Sequence, residues 1–297
     1  MEPRRSDDSA RCWVCAGDDL EPFRQSSVAR EALSARSFRI TDAEHGRTMG
    51  LVRCRACGFV QLAAHVDVTP FYAGMDDAAY ESTRSLRALQ AGELLEGLPP
   101  RTHGTRLLDV GAGSGVLVEQ ATRLGWKAEG VEPSVWLAAR AMERGVAVHT
   151  GTLPHPDLTP PYDVVTLVDV IEHVTDPRGL LGEVRKLLRP GGLLLLVTPD
   201  VRSVAARALG PRWWHYRIAH VGYFSLSTLD TLLSSSGFVR EGWRRPAWYF
   251  SVGNARTLAA RLLPLLRWMP VPRVLARATI RINLFDSMAA LYRATVR

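Results

Sequence analysis

Leu107-Leu108-Asp109-Val110-Gly111-Ala112-Gly113-Ser114-Gly115 is the stretch that decides the fold. An apolar strand runs into a turn with glycine at every second position. Glycine accepts left-handed backbone angles and lets a ligand approach the main chain, and the helix that follows presents free N–H groups. A dinucleotide fingerprint needs glycine at the first, third and sixth positions; here Val116 is sixth and Gly115 fifth. Glu132, in Gly130-Val131-Glu132-Pro133-Ser134, lies 21 residues after Gly111 at the end of the next apolar run. A carboxylate there can accept both hydrogens of a ribose diol.

Working outward, apolar runs at about 106–110, 127–131, 146–149, 163–168 and 192–198 alternate with amphipathic stretches. Such alternation predicts a parallel sheet covered by helices on both faces, with ligands at the carboxyl ends of the strands. Towards the N-terminus, leucines at near-helical spacing predict a helix over 85–98, stopped by Pro99-Pro100. The expected domains are a module over 1–70, a helical connector over 71–103 and the α/β domain over 104–297.

The motifs in order resemble class I S-adenosylmethionine-dependent methyltransferases over about 105–250. Beyond the glycine turn and Glu132 they are Tyr162-Asp163-Val164-Val165, Asp169-Val170-Ile171-Glu172-His173-Val174 and Leu188-Arg189-Pro190-Gly191-Gly192. The resemblance implies a doubly wound, mostly parallel seven-stranded Rossmann-like sheet, with a last strand near 285–293. It places Asp109, Gly111, Ala112, Gly113 and Gly115 along the methionine end of the cofactor, and Glu132 with Pro133 at the ribose. Asp169 and Val170 would face the methionyl part or the acceptor. Gly151-Thr152-Leu153 falls where the family contacts adenine, often through an aspartate; Thr152 stands in that place, so backbone or apolar contacts are expected. In the family the Glu172-His173 pair generally shapes the site rather than reacting.

All four cysteines fall in two pairs, Cys12-x-x-Cys15 and Cys54-x-x-Cys57. Two such knuckles can set four thiolates tetrahedrally around a structural zinc ion, which predicts a small zinc-ribbon-like module without catalysis. Within the 38 residues between the pairs, Ser37-Phe38-Arg39-Ile40 alternates as a hairpin strand would.

After the fifth strand, Trp213 to Ser225 gathers aromatics, histidines and arginine where the resembling family builds its acceptor pocket. His220 is the general-base candidate, with packing before the helix at 227–235 as its alternative role. The module together with this segment is similar to bacterial methyltransferases of sugars, glycans and small molecules, with O-methylation favoured over C-methylation.

The chain has 297 residues, 46 % hydrophobic and 23 % charged, which excludes wholesale disorder. Its net charge of +7 is unevenly spread: residues 201–297 hold 15 arginines against Asp230, Glu241 and Asp286, a net +12, so the first 200 carry −5. The alternatives are an RNA methyltransferase, or a non-enzymatic scaffold retaining the fold; the acidic first part, module included, argues against a nucleic-acid partner, and the Gly111, Gly113, Gly115 and Glu132 set against a scaffold. An insertion at about 253–283 reads as a basic amphipathic helix, with Arg273, Arg277 and Arg281 on one face and Trp268 nearby. It suits a lid, a homodimer face or peripheral contact with an anionic membrane. The N-terminus lacks an apolar core of a secretory signal, and a cytoplasmic location, peripheral to the inner membrane face at most, is expected.

Overall fold

The computed structural model describes residues 11–41, 45–99, 104–262, 265, 268 and 272–296. Thirteen strands follow one another in these segments. The first three are β1 (Leu20–Arg24), β2 (Leu51–Cys54) and β3 (Val60–Leu62). Then come β4 (Arg106–Val110), β5 (Lys127–Glu132), β6 (Val148–Thr150), β7 (Tyr162–Val168) and β8 (Leu188–Pro199). The last are β9 (Gly222–Tyr223), β10 (Phe238–Arg244), β11 (Trp248–Ser251), β12 (Thr279–Ile282) and β13 (Ser287–Ala294).

Seven of them form one sheet in the order β10-β13-β8-β7-β4-β5-β6. The five strands from β8 to β6 are parallel; β13 runs antiparallel to β8, and β10 to β13. Both faces are buried, so alternate residues feed opposite cores: Val165, Leu167, Leu194 and Leu196 pack on one side, Val164, Leu195 and Val197 on the other. This is the doubly wound architecture expected from the sequence. The order of strands reverses beside β4, so the glycine turn leaves the sheet at its switch point.

Helices α1 (Thr69–Ala73), α2 (Ala78–Ser82) and α3 (Arg84–Glu96) form the connector, and α4 (Val116–Arg123), α5 (Val135–Met142) and α6 (Pro177–Leu187) follow the strands. Then come α7 (Val204–Leu209), α8 (Leu226–Ser235), α9 (Val252–Leu262) and α10 (Arg273–Ala276). Helix α8 starts at Ser225 in a capping box closed by Thr228.

The cysteine-bearing region is not self-contained. Its antiparallel sheet runs β1-β2-β3-β9, so the edge strand comes from residues 222–223, beyond β8. Phe59, fully buried, packs on Trp13 (6.2 Å) and on Phe224 (4.7 Å). Arg178 on α6 donates through Nε to the Trp13 carbonyl at 3.0 Å and through its fork to that of Val14.

Two expectations are corrected. The hairpin strand at 37–40 is instead a 3-10 turn, Ala35–Phe38, because Phe38 buries its ring flat on Phe71 at 4.8 Å rather than pairing its backbone. Among the described residues of the insertion, helix is found at Val252–Leu262 and Arg273–Ala276, whereas Thr279-Ile280-Arg281-Ile282 is β-branched and alternating, and pairs with β11. Arg281 is therefore not on a helical face with Arg273 and Arg277; it forms an ion pair with Glu93 at 2.9 Å. Part of this insertion (263–264, 266–267 and 269–271) lies outside the described residues, as do 1–10 and 100–103 of the expected boundary. No helix among the described residues is long and apolar enough to cross a membrane.

Because Phe59 bridges both sheets, Phe59→Ala is expected to cost about 3–5 kcal/mol, the usual penalty for a large buried aromatic. Urea unfolding followed by tryptophan fluorescence and by circular dichroism should show coincident single transitions; a separate early transition of the cysteine-bearing sheet would contradict the shared core.

Candidate functional site

The glycine turn is built by backbone geometry. Gly111, Gly113 and Gly115 have φ of 74°, 55° and 75°, angles an L side chain adopts only under strain. Close approach adds to this: a Cβ on Gly111 would meet Val170 Cγ2 at 2.5 Å, and one on Gly113 would meet Tyr80 Oη at 2.5 Å. Tyr80 thus leans over the turn from α2, with the Arg87 guanidinium 3.4 Å above its ring. Ala112 is buried.

Glu132, 5 % exposed, ends β5 beside this turn. One carboxylate oxygen accepts from the Gly113 N–H and the other from the Ser134 N–H, each at 2.8 Å. Each oxygen keeps a second lone pair, which is what two ribose hydroxyls need. Burial outweighs these bonds and lifts Glu132 to about 7. Asp109 is likewise lifted to about 7 by burial; its carboxylate accepts from Thr166 Oγ1 at 2.6 Å. Pro133 is half-buried, Thr152 is exposed and Leu153 packs on the core, and the Gly151 N–H donates to the Glu132 carbonyl at 2.9 Å.

At the end of β7, Asp169 is exposed with φ of 53°, a left-handed angle uncommon outside glycine. Withdrawal of its carboxyl from water raises it to about 6, against the stabilising charges of His215, Arg87 and Arg217 and with the Asp286 charge adding to the rise. Glu172 and His173 follow in a 3-10 turn. The Glu172 side chain is buried, with Oε2 accepting from Thr198 Oγ1 at 2.9 Å. Burial and the nearby Asp169 hold its carboxyl well above the usual range. His173 places Nδ1 2.9 Å from the Ala219 carbonyl and 2.6 Å from Tyr72 Oη, and burial lowers it to about 3.

His220, the general-base candidate with packing as its alternative role, lies in the packed interior. It is 5 % exposed, set edge-on to His173 at 4.7 Å and parallel to His215 at 5.6 Å. Burial, with His173, Arg217 and His215 around it, depresses it well below 6.5. A different pair stands beside it. Asp286, 2 % exposed, accepts from Trp214 Nε1 at 2.7 Å and lies 3.1 Å from His215 Nε2. Sequence reasoning missed this pair and the two tyrosines. The available signal was that Asp286 is one of three acids among 97 residues.

The four cysteines converge. Cys12 and Cys57 sulfurs are 3.5 Å apart, as are those of Cys15 and Cys54, and all four lie within 4.8 Å of one another. Backbone N–H groups of Val14 and Cys15 point at the Cys12 sulfur, and those of Ala56 and Cys57 at Cys54. Burial nevertheless raises the Cys12 thiol to about 11, an opposition a cation among the sulfurs would reverse.

A glycine turn at the switch point, an acid closing the second strand and an antiparallel last strand define a Rossmann-like methyltransferase domain. The family model described as a methyltransferase domain matches residues 80–240, and the chain belongs to that family. It is 35 % identical over 125 residues to the ubiquinone biosynthesis O-methyltransferase of Bradyrhizobium sp., covering 40 % of this chain and 46 % of that protein. With the protein of the same name from Xanthomonas oryzae pv. oryzae, identity is 31 % over 185 residues, 54 % of this chain and 77 % of the other. The chain thus spans about half the length of the first relatives it matches. The fold is shared with the methyltransferase partner of the Trm112 activator in a Haloferax volcanii complex: TM-score 0.55 at 14 % identity, covering 74 % and 94 % of the two chains.

The raised Glu132 carboxyl has a consequence for stability. The folded group keeps its proton to about pH 7, whereas the unfolded group loses it near 4.5. The free energy of unfolding, and so the stability, therefore falls as pH rises between those values, by roughly 3 kcal/mol from this group, and is flat outside them. Chemical denaturation without cofactor should show that loss in the wild type and much less of it in Glu132→Gln; parallel pH profiles would contradict the buried carboxyl.

Proposed function

We propose that this protein transfers a methyl group from S-adenosylmethionine to an oxygen of a small-molecule acceptor. The observation that carries the reading is Glu132, buried at a strand end with both oxygens pinned by N–H groups and lone pairs to spare. The residues fit the cofactor. Glu132 would hold the ribose, with Pro133 beside it. Asp109, Gly111, Ala112, Gly113 and Gly115 would line the methionine end, Asp169 and Val170 the reacting side, and Thr152 with Leu153 the adenine. Tyr80 closes over the turn from α2. The cofactor supplies an electrophilic methyl on a sulfonium centre. The protein's part is to hold the acceptor in line and exclude water, an effect worth roughly 7–11 kcal/mol when the geometry is right.

A small-molecule oxygen acceptor is supported by the relatives named ubiquinone biosynthesis O-methyltransferases. No observation singles out a sugar or glycan. The His215–Asp286 pair, rather than His220, takes the acceptor proton: Asp286 is buried and fixed by Trp214, and it orients the half-buried imidazole. The four-cysteine cluster holds one structural zinc ion, closed against catalysis by its four sulfurs. The domain bounds follow with one amendment: the module over 1–70 is completed by residues 222–223.

Calorimetric titration with S-adenosylhomocysteine tests the cofactor reading. Micromolar binding is expected, weakened by about 1–3 kcal/mol in Glu132→Ala; wild-type affinity in that variant would remove Glu132 from the site.

For the base, His215→Ala and Asp286→Asn should lower kcat by about 10²–10⁴-fold while S-adenosylhomocysteine affinity is kept. An unchanged kcat in both would leave the pair structural.

A further inference from the structure

We propose that Glu172, His173 and His220 form a second metal site, separate from the cysteine cluster and suited to a divalent cation with nitrogen and oxygen ligands. One ligand atom from each lies within 4.8 Å of the others. Donors around one zinc ion at about 2.1 Å stand roughly 3.4 Å apart in a tetrahedron, so the three side chains need only a small contraction to share an ion.

The second observation is the state of the buried atoms. Glu172 Oε1 and His220 Nδ1 have no hydrogen-bond partner, on side chains that are 2 % and 5 % exposed. Leaving a buried polar atom unsatisfied is costly, and here two such atoms belong to side chains of one three-residue cluster. A hydrogen bond between carboxyl and imidazole would satisfy both, but the structure forms none.

The outer contacts of a metal site are already in place. Tyr72 Oη donates to the Ala219 carbonyl at 3.2 Å, and with the hydrogen on His173 Nδ1 that nitrogen donates to the same carbonyl and to Tyr72 Oη, the tautomer that leaves Nε2 its lone pair for a ligand bond. Glu172 Oε2 is held by Thr198 Oγ1 at 2.9 Å, which fixes the carboxylate and leaves Oε1 unpartnered. Two imidazoles and one carboxylate leave at least one coordination position open, the arrangement of zinc sites that act on substrates. His173 is only partly buried, which gives that position an approach.

The metal assignment stands on these contacts alone. Its role rests on the methyltransferase reading: an acceptor hydroxyl bound at the open position would lose its proton more readily to the neighbouring His215.

The test uses the full-length protein, stripped by a chelator and reloaded with Co2+. Mass-spectrometric metal analysis should find two equivalents per chain. The visible spectrum should combine intense thiolate charge-transfer bands with weaker bands of a nitrogen–oxygen site. Glu172→Gln and His220→Asn should each retain the thiolate bands and lose the second equivalent, or bind it 10–100-fold more weakly. One equivalent in the wild type, with thiolate bands only, would overturn the proposal without any variant. So would two equivalents retained at unchanged affinity in both variants. Failure of the methyltransferase reading would show separately, as absent S-adenosylhomocysteine binding with the metal count intact.

Discussion

The peptide group of Val221 ties the structure together. Its N–H donates to the Glu172 carbonyl at 2.8 Å, and its carbonyl accepts from the Leu62 N–H at 3.1 Å. One residue therefore bonds both the turn after β7 and the cysteine-bearing sheet. With its side chain fully buried, Val221 cannot shift without breaking a contact on one side. His220 immediately before it is fixed opposite Glu172 and His173. Tyr223 two residues later completes the pairing with Val60. The cysteine cluster thus acts on the site mechanically, by holding the 217–223 segment in place, and needs no chemistry of its own.

Charge follows the same economy. Some of the arginines that make the last third basic are matched within the molecule. Arg244 and Arg281 both reach Glu93, Arg240 reaches Asp230 and Arg245 reaches Asp200. Exposed pairs of this kind add little stability, typically under about 1 kcal/mol each. The Arg281–Glu93 pair fastens the β11–β12 hairpin to α3. The buried carboxyls around the glycine turn, Asp109 and Glu132, are instead lifted to about 7 by exclusion of water.

The sequence revealed those parts of the fold that depend on local pattern. Strands β4, β5, β7 and β8 are apolar runs bounded by turns, and the turn at 111–115 carries glycines that its left-handed angles require. Parts depending on distant partners were hidden. Strand β9 is two residues long and exists only because β3 lies beside it. Arg273, Arg277 and Arg281 recur every four residues, but Thr279 to Ile282 also alternates with period two, and the hairpin partner at 248–251 decided between the periods. His220 looked like a base from its residue type and neighbours; its burial, which sets its proton affinity, is a property of the packed structure. The His215–Asp286 pair joins residues 71 apart, and nothing local marks it.

The late arrival of β9 has a consequence for how the protein is made. Val60 pairs with Tyr223, so an edge strand of the first sheet to be synthesised is supplied 163 residues later. At the usual 5–20 residues per second, the nascent chain carries four thiols and an unpaired β3 edge for roughly 8–30 s before that strand leaves the ribosome. An exposed edge invites pairing with other chains over such an interval. A metal ion taken up by the two cysteine knuckles as they emerge would hold β1 to β3 in register while the chain waits. The cluster then serves as a clamp in time: it preserves an unfinished sheet until the catalytic domain has been synthesised to complete it.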